Sequence, residues 1–461
     1  MELSFAQLSI ILLTISIVIG IGLYAARSVH SSEGYSLGGR SAGIPLVAGS
    51  IAGTCIGGGA TVGTAQLAST IGLSAWWFTL GTGIALILMG LFYAKPLRRT
   101  SLETIPQYLV LNYGKSAGSF TSLCSSLGIL FSAVASSLPA IDIISVLFHV
   151  SLWTASVILL ILVACYSFFG GMKTAGVGGI LKMAVIWVSL FLAGGSAFYE
   201  IHTQPEIAAA LPDFPWFSLF GAGVPAAMAN LFSLIVGMLC TQTYIQALFS
   251  ASGPETAAAG AFAAALVTIP VGLPCAMIGM YMHATHPEVA PILVLPTFLL
   301  QHESALVGGI AMGGIVLSLI GSIAGLSLGI GTMLSRDIFS KLFRITSDKA
   351  QLSLARFVVL GVIFCSSVIA ILNEGSQILF WNYLSMALRG GGIFLPFTLA
   401  VMRPHAVAPS WAVASMVLST AAAIIAAVVK APIHPLFTGL AASLIILIIG
   451  YMRTKKEIRV S

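Results

Sequence analysis

The sequence predicts an all-α polytopic membrane protein of about 13 transmembrane helices, and composition, repeated apolar runs and the placement of positive charge predict it. The 461 residues are 58% hydrophobic and 7% charged, against roughly 45–50% apolar and about 25% charged in soluble globular chains. One water-soluble core cannot hide that excess. At about 20 apolar residues per crossing, a dozen or so crossings use more than half the chain. This excludes a soluble enzyme, a nucleic-acid binder and a disordered protein, and the net charge of +6 calls for no nucleic-acid partner. The partner implied is the lipid bilayer.

Apolar runs bounded by Gly, Pro or charge give spans at 6–26, 44–68, 72–97, 117–148, 151–170, 174–199, 217–248, 258–282, 304–334, 354–373, 376–402, 409–429 and 434–452. Alternate connections then carry 17 Lys and Arg on one side and one, Lys430, on the other. That asymmetry puts the N-terminus outside and the C-terminus in the cytoplasm of a cell (plasma) membrane protein. The first run is read as a retained helix, because residues 1–7 hold Glu2 and no basic residue ahead of the apolar stretch. Residues 101–113 suit a short interfacial helix, and the proline-interrupted stretch 287–301 suits an external lid or vestibule piece. The cysteines lie in apolar runs without a CxxC spacing and read as core residues.

Lys182, Arg389 and Asp142 fall inside spans, away from their ends. Each costs about 2.5–3.5 kcal/mol at mid-membrane, so each must face protein or water. The eight histidines sit in connections or at span ends and form no catalytic constellation with a nucleophile or carboxylate. Gly57, Gly58 and Gly59 in the second span favour either an unwound helix or a close helix contact. Thr241, Gln242 and Gln246 in the seventh span must face a cavity or each other.

The ordered set GSIAGTCIGGGATVGTAQLA, GLFYAKPLRR, LETIPQYLVLNYGK, FFGGMKTA, GMLCTQTYIQALFSAS and SRDIFSKLF resembles the sodium:solute symporter family over residues 40–345, nearest its choline-transporter-like branch. The resemblance implies a leucine-transporter-type core of 5+5 helices in inverted repeats, 44–199 and 217–402. One N-terminal helix (6–26) and two C-terminal helices (409–452) would be peripheral. The charge count agrees, since the spans at 44–68 and 217–248 then run in opposite directions. The resemblance further implies that the first helix of each repeat is broken and that substrate binds at the breaks, here near Gly57, Gly58, Thr61, Thr241 and Gln242.

The family's cation site, carried over residue by residue, falls on the carbonyls of Gly53, Ile56 and Ser318 and on the hydroxyl of Ser322, where sodium would be the metal bound. A second hydroxyl usual in the family is missing, because the matching residue is Gly321. The family's Thr-Asp pair with a following glutamine is here Gly178, Gly179 and Lys182. A lysine in a dry site exchanges its proton more readily than one in water. Lys182 therefore either replaces or competes with sodium, or snorkels to the interface.

Where the choline branch places cage tryptophans this chain has Cys55 and Thr241. Arg389, followed by Gly390, Gly391 and Gly392, suits a bidentate grip on a carboxylate, and pairing with Asp142 is its structural alternative. Asp142 is also read as a gate residue. The expected function is a secondary active transporter importing a small polar solute, carboxylate or amino acid, with sodium or a proton as coupling ion and no other cofactor. The alternatives are a sodium-independent transporter, an uncoupled facilitator and a transporter-like sensor. Oligomeric state and solute identity are left open by the sequence.

Overall fold

A computed structural model describes residues 4–27, 29–168, 170–429 and 433–460; Lys430 lies outside the described residues. The described residues are helical throughout, apart from turns and one isolated bridge between Ala42 and Ala251. The helices used below are α1 (Phe5–Ala26), α2 (Ile44–Cys55), α3 (Thr64–Ile71), α4 (Trp77–Leu88), α5 (Ile105–Tyr113), α6 (Lys115–Phe148), α7 (Leu152–Ser167), α8 (Gly171–Thr203), α9 (Val224–Leu239), α10 (Gln242–Ser250), α11 (Pro254–Thr268), α12 (Gly272–Thr285), α13 (Val294–Gln301), α14 (Ala305–Met333), α15 (Asp348–Leu372), α16 (Ile378–Met402), α17 (Pro409–Val428) and α18 (Pro435–Val460).

Among the described residues nine helical runs are long and apolar enough to cross a bilayer, ten with the bent pair α9 and α10, so the count of 13 is not confirmed. The difference has physical causes. The span expected at 44–68 is interrupted, α7 has 16 residues, and the second half of the interrupted span runs on through a turn at Gly72 into one long segment, Gly59–Arg98.

Two interruptions shape the core. Helix α2 stops at Cys55, because Ile56 takes φ −85° and ψ 84°, and the chain rewinds as a π-helical turn over Gly59–Gly63 before α3. A Cβ at Gly57 would fall 2.3 Å from Ser322 Oγ, one at Gly58 2.5 Å from Ala135 O, and one at Gly59 2.6 Å from Asn382 Nδ2. Only glycine lets this segment lie against α6, α14 and α16 together. The second break, at Cys240 and Thr241, bends α9 and α10 by 48°.

Around these breaks α8 packs on α2 and α14, α16 packs on α6, and α17 and α18 pack as a pair against α16. The lipid-facing sides carry exposed residues such as Val188, Leu192, Ile425 and Ile445. Helix α5, expected as a short interfacial helix, packs against the protein. Its apolar face is buried, and Tyr108 and Tyr113 donate their hydroxyls to the Ala400 and Pro396 carbonyls of α16.

Candidate functional site

Helices α2 and α8 cross with glycine against glycine. A Cβ at Gly179 would lie 2.0 Å from the Gly49 carbonyl oxygen, and one at Gly53 2.6 Å from Gly179 Cα. This approach brings Lys182, 1% exposed, to the end of α2. Its Nζ donates to the carbonyls of Ile56 and Ser318, each at 3.1 Å. The Ile56 carbonyl is available because α2 ends one residue earlier, and it also accepts from Ser318 Oγ at 2.5 Å. Ser322 Oγ donates to Thr54 O at 2.6 Å and accepts from Ser136 Oγ at 3.3 Å. Lys182 thus points inward, and the snorkelling alternative does not describe it. Gly53, in the same expected set, meets Gly179 at the helix crossing through its Cα.

Arg389 is likewise 1% exposed. Its Nε donates to Gly237 O at 3.2 Å, and its Nη1 to Ser385 Oγ at 2.7 Å and Ser132 Oγ at 3.4 Å. Ser132 in turn donates to Ser385 at 2.8 Å. The ion pairs found among the described residues, Arg40–Glu33, Lys95–Glu255 and Arg336–Glu103, leave both buried cations without a carboxylate partner. Asp142 instead shares a small recess with Glu374. An uncompensated cation in the interior costs several kcal/mol, so such groups are kept for what they bind or exchange.

Beside Arg389 lies a cavity of about 20 Å³, room for about one water. Its polar wall is Thr54, Gly57, Gly59, Ser132, Ser136, Tyr244, Ser322, Asn382 and Arg389, and Phe78, Met238, Leu326 and Met386 close it. Anything larger than a water enters only when the helices move apart.

Buried hydrogen bonds lie on either side of this cavity. On the side poor in basic residues a vestibule of about 290 Å³ is lined by Gln66, Thr70, Pro291 and Gln377, and Gln66 accepts from the Ile378 amide at 3.1 Å. The proline-interrupted stretch thus lines this recess at Ala290, Pro291 and Ile292. On the basic side Gln242 accepts from the Ile105 amide at 2.8 Å and donates to Glu103 O at 2.9 Å, and Gln246 donates to Ser36 O and Thr332 Oγ1. Asp337 accepts there from Thr104 at 2.8 Å and from Gln107 at 3.2 Å. These bonds tie α10, α5 and the end of α14 together.

Of the residues expected at the solute, Gly57 and Arg389 line the cavity. Gly58 lies beside it, its amide donating to Ser136. Thr61 and Thr241 turn their hydroxyls back to the carbonyls of Gly57 and Gly237. Gln242 is not at the cavity but in the basic-side contact. Sequence reasoning missed Ser132, Ser136, Asn382 and Ser385. Their signal was the four-residue spacing of Ser132 with Ser136 and of Ser385 with Arg389, which puts each pair on one helix face.

The sodium:solute symporter family model matches residues 35–419. The human high affinity choline transporter 1 is 24% identical over 390 residues, 78% of this chain and 66% of that one. Rabbit sodium/glucose cotransporter 1 is 26% identical over 200 residues, 42% of this chain and 30% of that one. The chain spans 66% of the human choline transporter and 61% of the one from Torpedo marmorata. A solved Na+-coupled sialic acid symporter in a substrate-bound outward-open state aligns over 98% of both chains with a TM-score of 0.79 at 16% identity. A nucleobase-cation-symport-1 family transporter in a closed conformation aligns over 93% of this chain and 96% of that one, at 0.60 and 13%. These likenesses show a shared transporter fold, and the curated relatives are transporters rather than enzymes. The family match runs through both interrupted helices and through Lys182 and Arg389, and on it the chain belongs to the sodium:solute symporter family.

Proposed function

We propose that this chain is a secondary active transporter that imports a small carboxylate-bearing solute by alternating access, and that the Lys182 ammonium stands where a free coupling cation would bind. The observation that carries this reading is the pair of 3.1 Å bonds from Lys182 Nζ to Ile56 O and Ser318 O. A hard cation such as sodium needs several oxygens to replace its water, and here a covalently tethered cation already takes two of them. Coupling then runs through a proton on Lys182, or transport needs no sodium. The membrane potential contributes about 2.3 kcal/mol per elementary charge per 100 mV.

Arg389 supports the carboxylate assignment, since it reaches the cavity without an acid partner among the described residues. Gly57, at the first break, lines the same cavity. We take 44–199 and 217–402 as the two oppositely directed repeats, each opening on an interrupted helix, and the basic side as cytoplasmic. Asp142, beside Glu374, then belongs to the outer surroundings rather than to the solute site.

Reconstitution into proteoliposomes tests the reading. Uptake of a panel of radiolabelled small carboxylates is measured with a sodium gradient or a proton gradient alone. Expected is uptake without sodium, driven above equilibrium by an inward proton gradient and lost in Lys182→Gln; uptake that only runs down the solute gradient would overturn active transport. Strict sodium dependence in the wild type with normal uptake in Lys182→Gln would overturn it.

A further inference from the structure

Helices α16 and α18 touch near the middle of α16 and part toward the basic side. A Cβ at Gly439 of α18 would stand 3.2 Å from Gly391 Cα, so the two backbones meet there. About one turn further along each helix the small residues give way to Leu395 and Leu444, and from there a groove of about 460 Å³ runs to the basic end. Leu395, Leu399 and Met402 line it on α16, and Leu444, Ile448 and Tyr451 on α18. Each set has spacings of three and four and so shares one helix face. At about 1.5 Å per residue the groove is about 12 Å long, most of one leaflet of a hydrocarbon core about 30 Å thick. Arg403 stands at its far end, exposed, and enters none of the ion pairs among the described residues.

We propose that this groove binds one anionic phospholipid of the basic-side leaflet, with an acyl chain between α16 and α18 and the acidic headgroup on the Arg403 guanidinium. Two features select that occupant. The groove stops where Gly391 meets Gly439, so it accepts a chain one leaflet long and not a helix that crosses about 30 Å. Its charge is at one end alone, the end at the bilayer surface, where a guanidinium holds a phosphate in a bidentate pair. A zwitterionic lipid offers the same chain and a phosphate whose charge is already balanced. The groove also borders Thr398, whose hydroxyl is 2.6 Å from Tyr93 Oη. A bound lipid therefore sits against the turns of α16 that carry the Tyr93, Tyr108 and Tyr113 contacts.

The purified full chain, in detergent, is titrated with phosphatidylglycerol or with phosphatidylcholine of the same acyl chains, and bound lipid is counted by native mass spectrometry. One phosphatidylglycerol is expected to bind more tightly than any later one and more tightly than phosphatidylcholine. Arg403→Gln should weaken that first binding about fivefold, the share of one basic side chain at an anionic surface, and leave phosphatidylcholine unchanged. Arg453→Gln is the control for surface charge. Arg453 lies two residues past Tyr451, on another face of α18, with its guanidinium 5.3 Å from the centre of the Trp411 ring, and its loss should leave the first binding as it is. Leu444 and Ile448 are half exposed, so tryptophan at either position fits without repacking the core. Leu444→Trp or Ile448→Trp should fill the groove and abolish the tight binding. Equal losses in Arg403→Gln and Arg453→Gln would reduce the effect to net surface charge, and unchanged tight binding in both tryptophan variants would place the lipid elsewhere; either result overturns the proposal. A lipid-free dimer that Ile448→Trp disrupts would assign the groove to a second copy of the chain and overturn it as well.

Discussion

Lys182 Nζ stands 3.1 Å from the carbonyl oxygen of Ile56, the residue at which α2 leaves the helical conformation. Two features produce that contact: a helix interruption that frees a carbonyl, and a crossing close enough for a side chain on α8 to reach it.

Gly179→Val attacks the crossing. A Cβ there meets the Gly49 carbonyl at 2.0 Å, so α8 must move off α2, with an overpacking loss of about 1–3 kcal/mol. The expected result is a lower unfolding midpoint. On the same helix a Cβ at Gly195 meets nothing within 4 Å, and Gly195→Ala should leave the midpoint unchanged or raise it slightly.

The sequence made the first break and the two core cations legible for plain reasons. Three consecutive glycines in an apolar span, and a lysine or arginine far from a span end, are costly in lipid unless they are used. The fates of Gln242 and of Ser132, Ser136 and Ser385 were not legible. A glutamine just past a break can point to either end of the broken helix, and tertiary packing chose the basic side, where the Ile105 amide needed an acceptor. Serines are common where helices pack closely, so their spacing marks a face without saying what that face meets. The helix count of 13 is not confirmed, because interruptions inside apolar runs leave pieces shorter than a full crossing.

Gln242→Leu removes that acceptor. The Ile105 amide and the Glu103 carbonyl both lose a partner, at about 1–3 kcal/mol for each group left buried and unpaired. Amide hydrogen exchange should rise in α5, with residues in α17 unaffected. Unchanged exchange across 105–113 would mean that the contact does not hold the basic side together.

Arg389→Gln separates solute recognition from packing. If the guanidinium were present for stability, its removal would lower the melting temperature. Because it has no carboxylate partner among the described residues, its removal also relieves the cost of burying a charge. Expected is a midpoint that holds or rises, with carboxylate uptake falling by about tenfold or more, the loss of a charge-assisted pair. Arg389→Lys should restore only part of that uptake, since an ammonium cannot reproduce the planar fork. A large drop in midpoint with uptake per folded molecule unchanged would assign the arginine to structure.

The vestibule side supplies a pH prediction through His302, just past α13. Its ring stacks on Phe298 at 5.2 Å and meets Tyr281 at 5.4 Å and His286 at 5.0 Å. Burial first, and the charge of His286 second, hold its pKa below the ordinary histidine value, while Glu200 and Glu303 pull the other way. A base whose pKa is depressed by folding binds protons more readily when unfolded. Its contribution is therefore intact above the unfolded value of about 6.5, is lost as pH falls through that value, and levels off below the folded one. Between about pH 7.5 and 5.5 the His302 contribution lowers the unfolding midpoint of the wild type, while Asp337, pushed up to about 6 by burial first, works in the opposite direction in wild type and variant alike. His302→Phe keeps the stacking on Phe298 and removes the titrating group, so it should show a smaller fall over the same window. The difference between the two profiles is the measure, because His434, also depressed by burial, titrates in both. Parallel profiles would mean that protonation of His302 does not weaken the packing around the vestibule.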